Sequence, residues 1–169
     1  MTIDQLKQLQ QKALKEFESY SAALMICTGT ACVANRSFDL VKELHEELEK
    51  RNLTDKYLVV PTGCNGFCAQ GPIMVVQPEG IFYEKLTSGD ISEIIDKHLE
   101  GGEPIERLLH HHNGTAVPKM ENIPFFGKQK LLALRHKGMT NPQEIAATCT
   151  CGGYQALHKV LTSMKPDEV

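Results

Sequence analysis

The spacing of apolar residues in the first sixty positions alternates between a helical and a strand-like period. Apolar side chains recur every three or four positions over residues 2–19 and again over residues 36–51, which predicts two amphipathic helices. The runs at residues 22–26 and 57–60 are apolar throughout and predict two buried strands. This part of the chain is therefore predicted to be a helix followed by a βαβ unit.

The next forty positions contain two more short apolar runs. Residues 73–76 and 81–83 flank the turn-forming sequence Gln-Pro-Glu-Gly at 77–80, which predicts an antiparallel hairpin, and a helix is predicted over residues 88–99. The order α, βα, β, ββα gives four strands with helices to cover them. The predicted fold class is α/β: a thioredoxin-like four-stranded sheet with flanking helices, plus a short C-terminal extension.

Strand periodicity disappears after residue 100. Gly, Pro and a run of three histidines predict a linker, and we place the domain boundaries at 1–112 for the sheet domain, 113–122 for the linker and 123–169 for the extension. The extension has one predicted helix, around 154–161. It is too short to bury a large core by itself.

Composition and charge narrow the classes of partner. The 169 residues are 41% hydrophobic and 23% charged, with a formal net charge of −3, so no strong positive field attracts a nucleic acid. No segment approaches the ~20 consecutive apolar residues that a membrane-spanning helix needs, and the N-terminus lacks the apolar centre of a signal peptide. We expect a cytoplasmic protein with no nucleic-acid partner and no membrane insertion.

Six cysteines carry the chemical information. In a reducing compartment, closely spaced cysteines indicate metal ligation or redox chemistry rather than structural disulfides. Cys27 and Cys32 follow the first predicted strand, and Cys64 and Cys68 follow the second. Parallel strands of a βαβ unit end at the same edge of the sheet, so we expect the two pairs to converge there.

Four converging thiolates match the ligand set of one [2Fe–2S] cluster, and Gly29, Gly63, Gly66 and Gly71 leave backbone room for its sulfides. Two alternatives stay open. The spacings also fall within the range of structural zinc sites, which would make the chain a zinc-stabilised subunit-interaction module without a redox role. A dithiol redox catalyst normally has two residues between its cysteines, and here the first pair has four.

Two motifs resemble those of a known family. Cys-Thr-Gly-Thr-Ala-Cys at 27–32 and Gly-Cys-Asn-Gly-Phe-Cys-Ala-Gln-Gly-Pro at 63–72 resemble the signatures of thioredoxin-like [2Fe–2S] ferredoxins and of the related small subunit of complex I. The resemblance covers about residues 1–109. It implies electron transfer through a single cluster, with no catalytic site in this chain, and it implies these ligands: Cys27, Cys32, Cys64 and Cys68.

The extension resembles a different protein. Ile-Pro-Phe-Phe-Gly-Lys-Gln at 123–129, Leu-Arg-His-Lys-Gly at 134–138, Asn-Pro-Gln-Glu-Ile at 141–145 and Gly-Gly-Tyr-Gln-Ala-Leu at 152–157 are similar to the start of the flavin- and NADH-binding subunit of complex I and of NAD-linked hydrogenases. This implies partner subunits that carry flavin and further iron–sulfur clusters. The chain ends at Val169, before any Gly-rich flavin loop, so we expect a shortened or split form of such a subunit that holds no flavin itself.

The remaining cysteines and the histidine run have plainer interpretations. Cys149 and Cys151 form a C-x-C pair in the extension, and we expect two incidental thiols rather than a zinc site. The run of His110, His111 and His112 cannot direct all three side chains at one ion. We expect it to be a solvated part of the linker.

Overall fold

The computed structural model describes residues 2–169, which form two compact units: residues 20–140, and residues 2–19 together with 141–169. In chain order the helices and strands are α1 (Ile3–Glu18), β1 (Ala22–Cys27), α2 (Thr30–Ala34), α3 (Ser37–Lys50), β2 (Tyr57–Thr62), β3 (Met74–Gln77), β4 (Ile81–Tyr83), α4 (Ile91–Glu93, continued as a π-helix over Ile94–Glu100), β5 (His110–His112), β6 (Thr115–Val117), α5 (Pro124–Gly127), α6 (Ile145–Thr150) and α7 (Gln155–Ser163).

The larger unit is built on a four-stranded mixed sheet with the strand order β2-β1-β3-β4. β1 runs parallel to β2 and antiparallel to β3, and β3 and β4 form the predicted hairpin. All four predicted strands are confirmed. β1 is an inner strand whose last five residues are buried, which explains why its sequence is apolar throughout instead of alternating.

Two hydrophobic clusters cover the two faces of the sheet. Leu24 and Ile26 of β1 face the first cluster, which α3 and the helix from residue 91 to 100 complete. Ala23 and Met25, whose side chains alternate with these, face the second cluster together with Cys27. The second face therefore carries both core residues and a predicted ligand.

A buried tyrosine links β4 to the segment after the π-helix. Tyr83 is fully buried; its hydroxyl accepts a hydrogen bond from the Ile105 backbone N–H at 3.1 Å and hydrogen-bonds with His98 Nδ1 at 2.9 Å. Burial raises the pKa of Tyr83 from 10.0 to about 12. The hydroxyl thus satisfies a backbone donor that has no access to water.

Tyr83→Phe should lower the free energy of unfolding by about 1–3 kcal/mol, because it leaves the Ile105 N–H buried without an acceptor. Since the folded pKa lies above the unfolded value, the contribution of this proton is complete below pH 10 and is lost as pH rises towards 12. Urea unfolding should therefore show a difference between wild type and variant that narrows above pH 10. Tyr154→Phe, at a side chain that is 48% exposed, is the control and should change little.

The stretch after residue 100, which was predicted to lack strands, contains two. Residues 100–122 were expected to lack them, but β5 and β6 form an antiparallel hairpin within this range. Its turn is Asn113-Gly114, with φ values of 52° and 81°, the left-handed conformations that a two-residue hairpin turn requires and that Asn and Gly adopt most easily. The Asn-Gly dipeptide was the signal that the prediction missed.

The histidine run lies in β5 and is only partly solvated. His111 and His112 are exposed, as expected. The expectation is wrong for His110, whose side chain is 12% exposed and whose Nδ1 lies 2.8 Å from Glu84 Oε2. Successive side chains of a β-strand point to opposite faces, so His110 faces inward whereas His111 faces solvent.

The smaller unit consists of helices. The predicted helix over 2–19 is confirmed as α1, which begins with a capping box between Thr2 and Gln5 and packs against α6. The helix predicted around 154–161 is confirmed as α7, whereas α6 was not predicted. No helix within residues 2–169 is both long and apolar enough to span a membrane.

Candidate metal centre

The first cysteine pair is buried at the end of β1. Cys27 is the last residue of β1, and its backbone N–H donates to the Ile73 carbonyl oxygen at 3.0 Å. The chain then turns at Gly29 into the short helix α2, which contains Cys32. The two side chains are 1% and 2% exposed, so this pair belongs to the second hydrophobic cluster.

The second pair lies in the loop after β2 and is exposed to solvent. The Sγ atoms of Cys64 and Cys68 are 4.0 Å apart, and the Gly66 backbone N–H donates to Cys64 Sγ at 3.3 Å. Cys68 begins a single 3₁₀ turn that ends at Gln70. The loop therefore presents two neighbouring thiols and at least one amide donor to sulfur.

Threonines join the two loops at the sheet edge. Cys27 lies opposite Thr62 in the parallel register. The Thr28 backbone N–H and hydroxyl both donate to the Thr62 carbonyl oxygen, at 3.0 and 2.8 Å, and the Thr62 hydroxyl donates to the Ile26 carbonyl oxygen at 3.1 Å. These bonds hold the starts of both cysteine loops side by side, as the βαβ topology predicts.

Two glycines bring the cysteine pairs into contact. A Cβ atom on Gly29, in the first loop, would lie 2.8 Å from Cys64 Cβ and 3.1 Å from Cys64 Sγ. A Cβ atom on Gly71, in the second loop, would lie 2.7 Å from Cys32 Sγ. Each loop thus approaches a cysteine of the other loop so closely that only glycine fits, and the structure brings all four predicted cysteines together.

The pKa values of Cys32 and Cys68 are raised, so both thiols stay protonated at neutral pH. Burial, assisted by the neighbouring Cys27, raises the pKa of Cys32 from 9.0 to about 12. A hydrogen bond with Cys64 and the charge of Cys64 raise the pKa of Cys68 as well. Because metal ligands must be thiolates, iron binding at this site has to displace protons.

The arrangement of the donors fits a binuclear cluster. Within residues 2–169 no three His, Cys, Asp or Glu side chains are grouped around one point where a single metal ion could bind. The four thiols form two adjacent pairs, one buried and one exposed, and a [2Fe–2S] cluster needs two thiolates for each of its two irons.

Residues around the exposed pair escaped the sequence prediction. Phe67, between the two cysteines, stacks on Phe125 with ring centroids 4.6 Å apart and meets Phe126 edge-on at 5.4 Å. Asn65 is 1% exposed although it lies in a loop. No periodic pattern in the sequence relates Phe67 to Phe125 and Phe126. The motif Ile-Pro-Phe-Phe was the one sequence signal that could have indicated a role for the two later phenylalanines.

The other two cysteines lie in the smaller unit. Cys149 is buried in α6, and Cys151 follows the end of that helix and is partly exposed. Each lies outside the unit that contains the two cysteine pairs.

Comparisons with known proteins match the part of the chain that contains the two cysteine pairs. The family described as "Thioredoxin-like [2Fe-2S] ferredoxin" matches residues 15–99. A protein named "Ferredoxin, 2Fe-2S" from Clostridium pasteurianum is 44% identical over 77 residues, which are 46% of this chain and 76% of the relative. A protein of the same name from Aquifex aeolicus (strain VF5) is 40% identical over 73 residues, 40% of this chain and 66% of the relative.

Solved structures of thioredoxin-like [2Fe-2S] ferredoxins have a similar fold. The wild-type thioredoxin-like [2Fe-2S] ferredoxin from Aquifex aeolicus superposes with a TM-score of 0.51 at 29% identity, over 55% of this chain and 99% of that one. A second structure of a thioredoxin-like [2Fe-2S] ferredoxin from Aquifex aeolicus gives a TM-score of 0.50 at 31% identity, over 53% and 89%. The family match covers half of the chain, and these relatives share its fold. The chain therefore belongs to the thioredoxin-like [2Fe–2S] ferredoxin family, binds a [2Fe–2S] cluster and transfers electrons through it.

Proposed function

We propose that the ligands of the cluster in this chain are the thiolates of Cys27, Cys32, Cys64 and Cys68. The observation that carries this assignment is the reciprocal close approach of Gly29 to Cys64 and of Gly71 to Cys32. These contacts support the assignment, because a single binuclear cluster needs both cysteine pairs to lie close together.

The two pairs would have different roles. Cys27 and Cys32 are surrounded by apolar side chains, which exclude water from one side of the site. Cys64 and Cys68 are exposed, so electrons would enter and leave at their side. The Gly66 N–H stabilises negative charge on Cys64 Sγ through the hydrogen bond at 3.3 Å. When bound, the cluster supplies a one-electron couple.

The wider role we propose is electron transfer within a cytoplasmic, multisubunit NAD(H)-linked oxidoreductase, such as a hydrogenase or a complex I-like diaphorase. The support is the likeness of residues 123–138 and of the sequence beyond them to the start of a flavin- and NADH-binding subunit. NADH delivers a hydride, which needs a two-electron acceptor such as flavin, whereas this cluster accepts one electron at a time. A partner that carries flavin would divide the pair of electrons.

A test of the wider role uses the tagged chain purified from cells of its source. We expect flavin-containing subunits to co-purify, and we expect NADH to bleach the visible absorption of the cluster in that complex. The same chain purified alone after heterologous expression should keep its absorption when NADH is added and lose it when dithionite is added. If no flavoprotein accompanies the tagged chain, the chain works as a separate ferredoxin. If NADH bleaches the isolated chain, the chain itself binds a two-electron acceptor such as flavin, and the expectation that it holds no flavin is wrong.

A further inference from the structure

Residues 123–138, which we call the cover segment, pack against the loop that holds Cys64 and Cys68. Phe125 of the cover segment stacks on Phe67 of the loop. The Lys137 Nζ atom lies 5.9 Å from the centre of the Phe125 ring and 5.7 Å from the centre of the Phe126 ring. A lysine ammonium at this distance from two aromatic faces is attracted by both, so its position is restrained.

The backbone of the cover segment touches the same loop. A Cβ atom on Gly138 would lie 2.0 Å from Asn65 Oδ1, and Gly138 has a φ of +69°, so any other residue would both strain the backbone and collide with Asn65. Asn65 is buried, and its side-chain nitrogen and oxygen form no hydrogen bond within residues 2–169. The contact therefore fixes residue 138, and with it Lys137, against the ligand loop.

The charge of Lys137 is directed at the same loop. Its Nζ atom lies 3.6 Å from the position that a Cβ atom on Gly66 would occupy, and the Gly66 N–H donates to Cys64 Sγ. The Lys137 ammonium donates a hydrogen bond to Oε1 of Gln129, a neutral side chain, at 3.4 Å. None of the ion pairs formed within residues 2–169 includes Lys137.

We propose that Lys137 is a positioning residue for electron transfer, which stabilises the reduced cluster by holding a positive charge beside the exposed cysteine pair. A cluster with four thiolate ligands is anionic and gains one more negative charge on reduction, so a nearby cation favours the reduced state. The inference rests on the proposed ligands, because it needs Cys64 and Cys68 to bind the cluster. It also makes Lys137, with the contacts that hold it against the loop, a part of the electron-transfer site.

The test is the midpoint potential of the holoprotein, measured by EPR-monitored titration at low ionic strength. Lys137→Gln should lower the equilibrium constant for reduction by about threefold to tenfold, and a tenfold change corresponds to about 59 mV for a one-electron couple. Lys137→Arg should keep the wild-type potential. Lys130→Gln, the control, removes the same charge from an exposed position of the cover segment and should have little effect. High salt should reduce the difference.

A second variant tests the role of the close contact. Gly138→Ala should displace Lys137 and lower the potential by about as much as Lys137→Gln, and the double variant should show no further decrease. Its control is Gly114→Ala, which has a similar positive φ of +81° but no atom within 4 Å of the added Cβ. Equal potentials for wild type, Lys137→Gln and Lys130→Gln, or additive shifts in the double variant, would overturn the inference. A wild-type protein without a [2Fe–2S] EPR signal would contradict the proposed ligands instead.

Discussion

Cys32→Ala should yield a colourless protein with at least roughly tenfold less bound iron and sulfide than wild type, because even changes outside the ligand shell commonly weaken metal sites by 10–100-fold. The remaining thiols cannot compensate, since Cys32 lies in the buried part of the site, where no water or exposed side chain can take its place. Iron and sulfide analysis, the visible spectrum and the EPR signal of the dithionite-reduced protein measure the outcome. Wild type should give one spin-half signal.

The matched control for this variant is Cys149→Ala. Cys149 is also a buried thiol in a short helix, so its replacement removes a similar side chain from a similar environment, but it lies in the smaller unit. We expect its iron content and spectrum to equal those of wild type. A spectrum that survives in Cys32→Ala and disappears in Cys149→Ala would show that the ligand set is wrong.

The sheet and the cysteine constellation could be predicted because their signals are local. A strand that is buried on both faces, such as β1, needs an unbroken apolar run, and few other local structures produce one of that length. The βαβ order then determines which strand ends meet, so the sequence alone predicts Cys27 and Cys64 at one edge of the sheet. The bounds of α1 and α3 followed from their helical periodicity in the same way.

The surroundings of the exposed cysteine pair could not be predicted, because they depend on contacts between distant parts of the chain. Gly138 contacts Asn65, and Phe125 contacts Phe67, although β3 and β4 lie between these residues in sequence. Neither contact leaves a periodic pattern. The cover segment was identified only by its resemblance to another protein, and the division of the chain at residues 113–122 stays a prediction.

Gly29→Ala should reduce cluster content severalfold while leaving the fold of the apoprotein intact, and Gly29→Val should reduce it further. The added Cβ would lie 2.8 Å from Cys64 Cβ, so the second loop must move away from the first. The backbone itself is not strained, because Gly29 has a φ of −64° and a ψ of 157°, which any residue can adopt. A loss of cluster content in these variants can therefore be attributed to the increased separation between the two cysteine pairs.

Gly89→Ala is the control for this series. Gly89 is exposed, has no positive φ, and no atom lies within 4 Å of an added Cβ. Far-UV circular dichroism should show the same helix and strand content in all three variants, while iron content should fall only at position 29. Iron content that decreases from wild type to Gly29→Ala and again to Gly29→Val would reflect the increasing distance between residue 29 and Cys64. If Gly29→Val binds as much iron and sulfide as Gly89→Ala, the two pairs do not share one cluster, because a cluster bridging them could not tolerate that displacement.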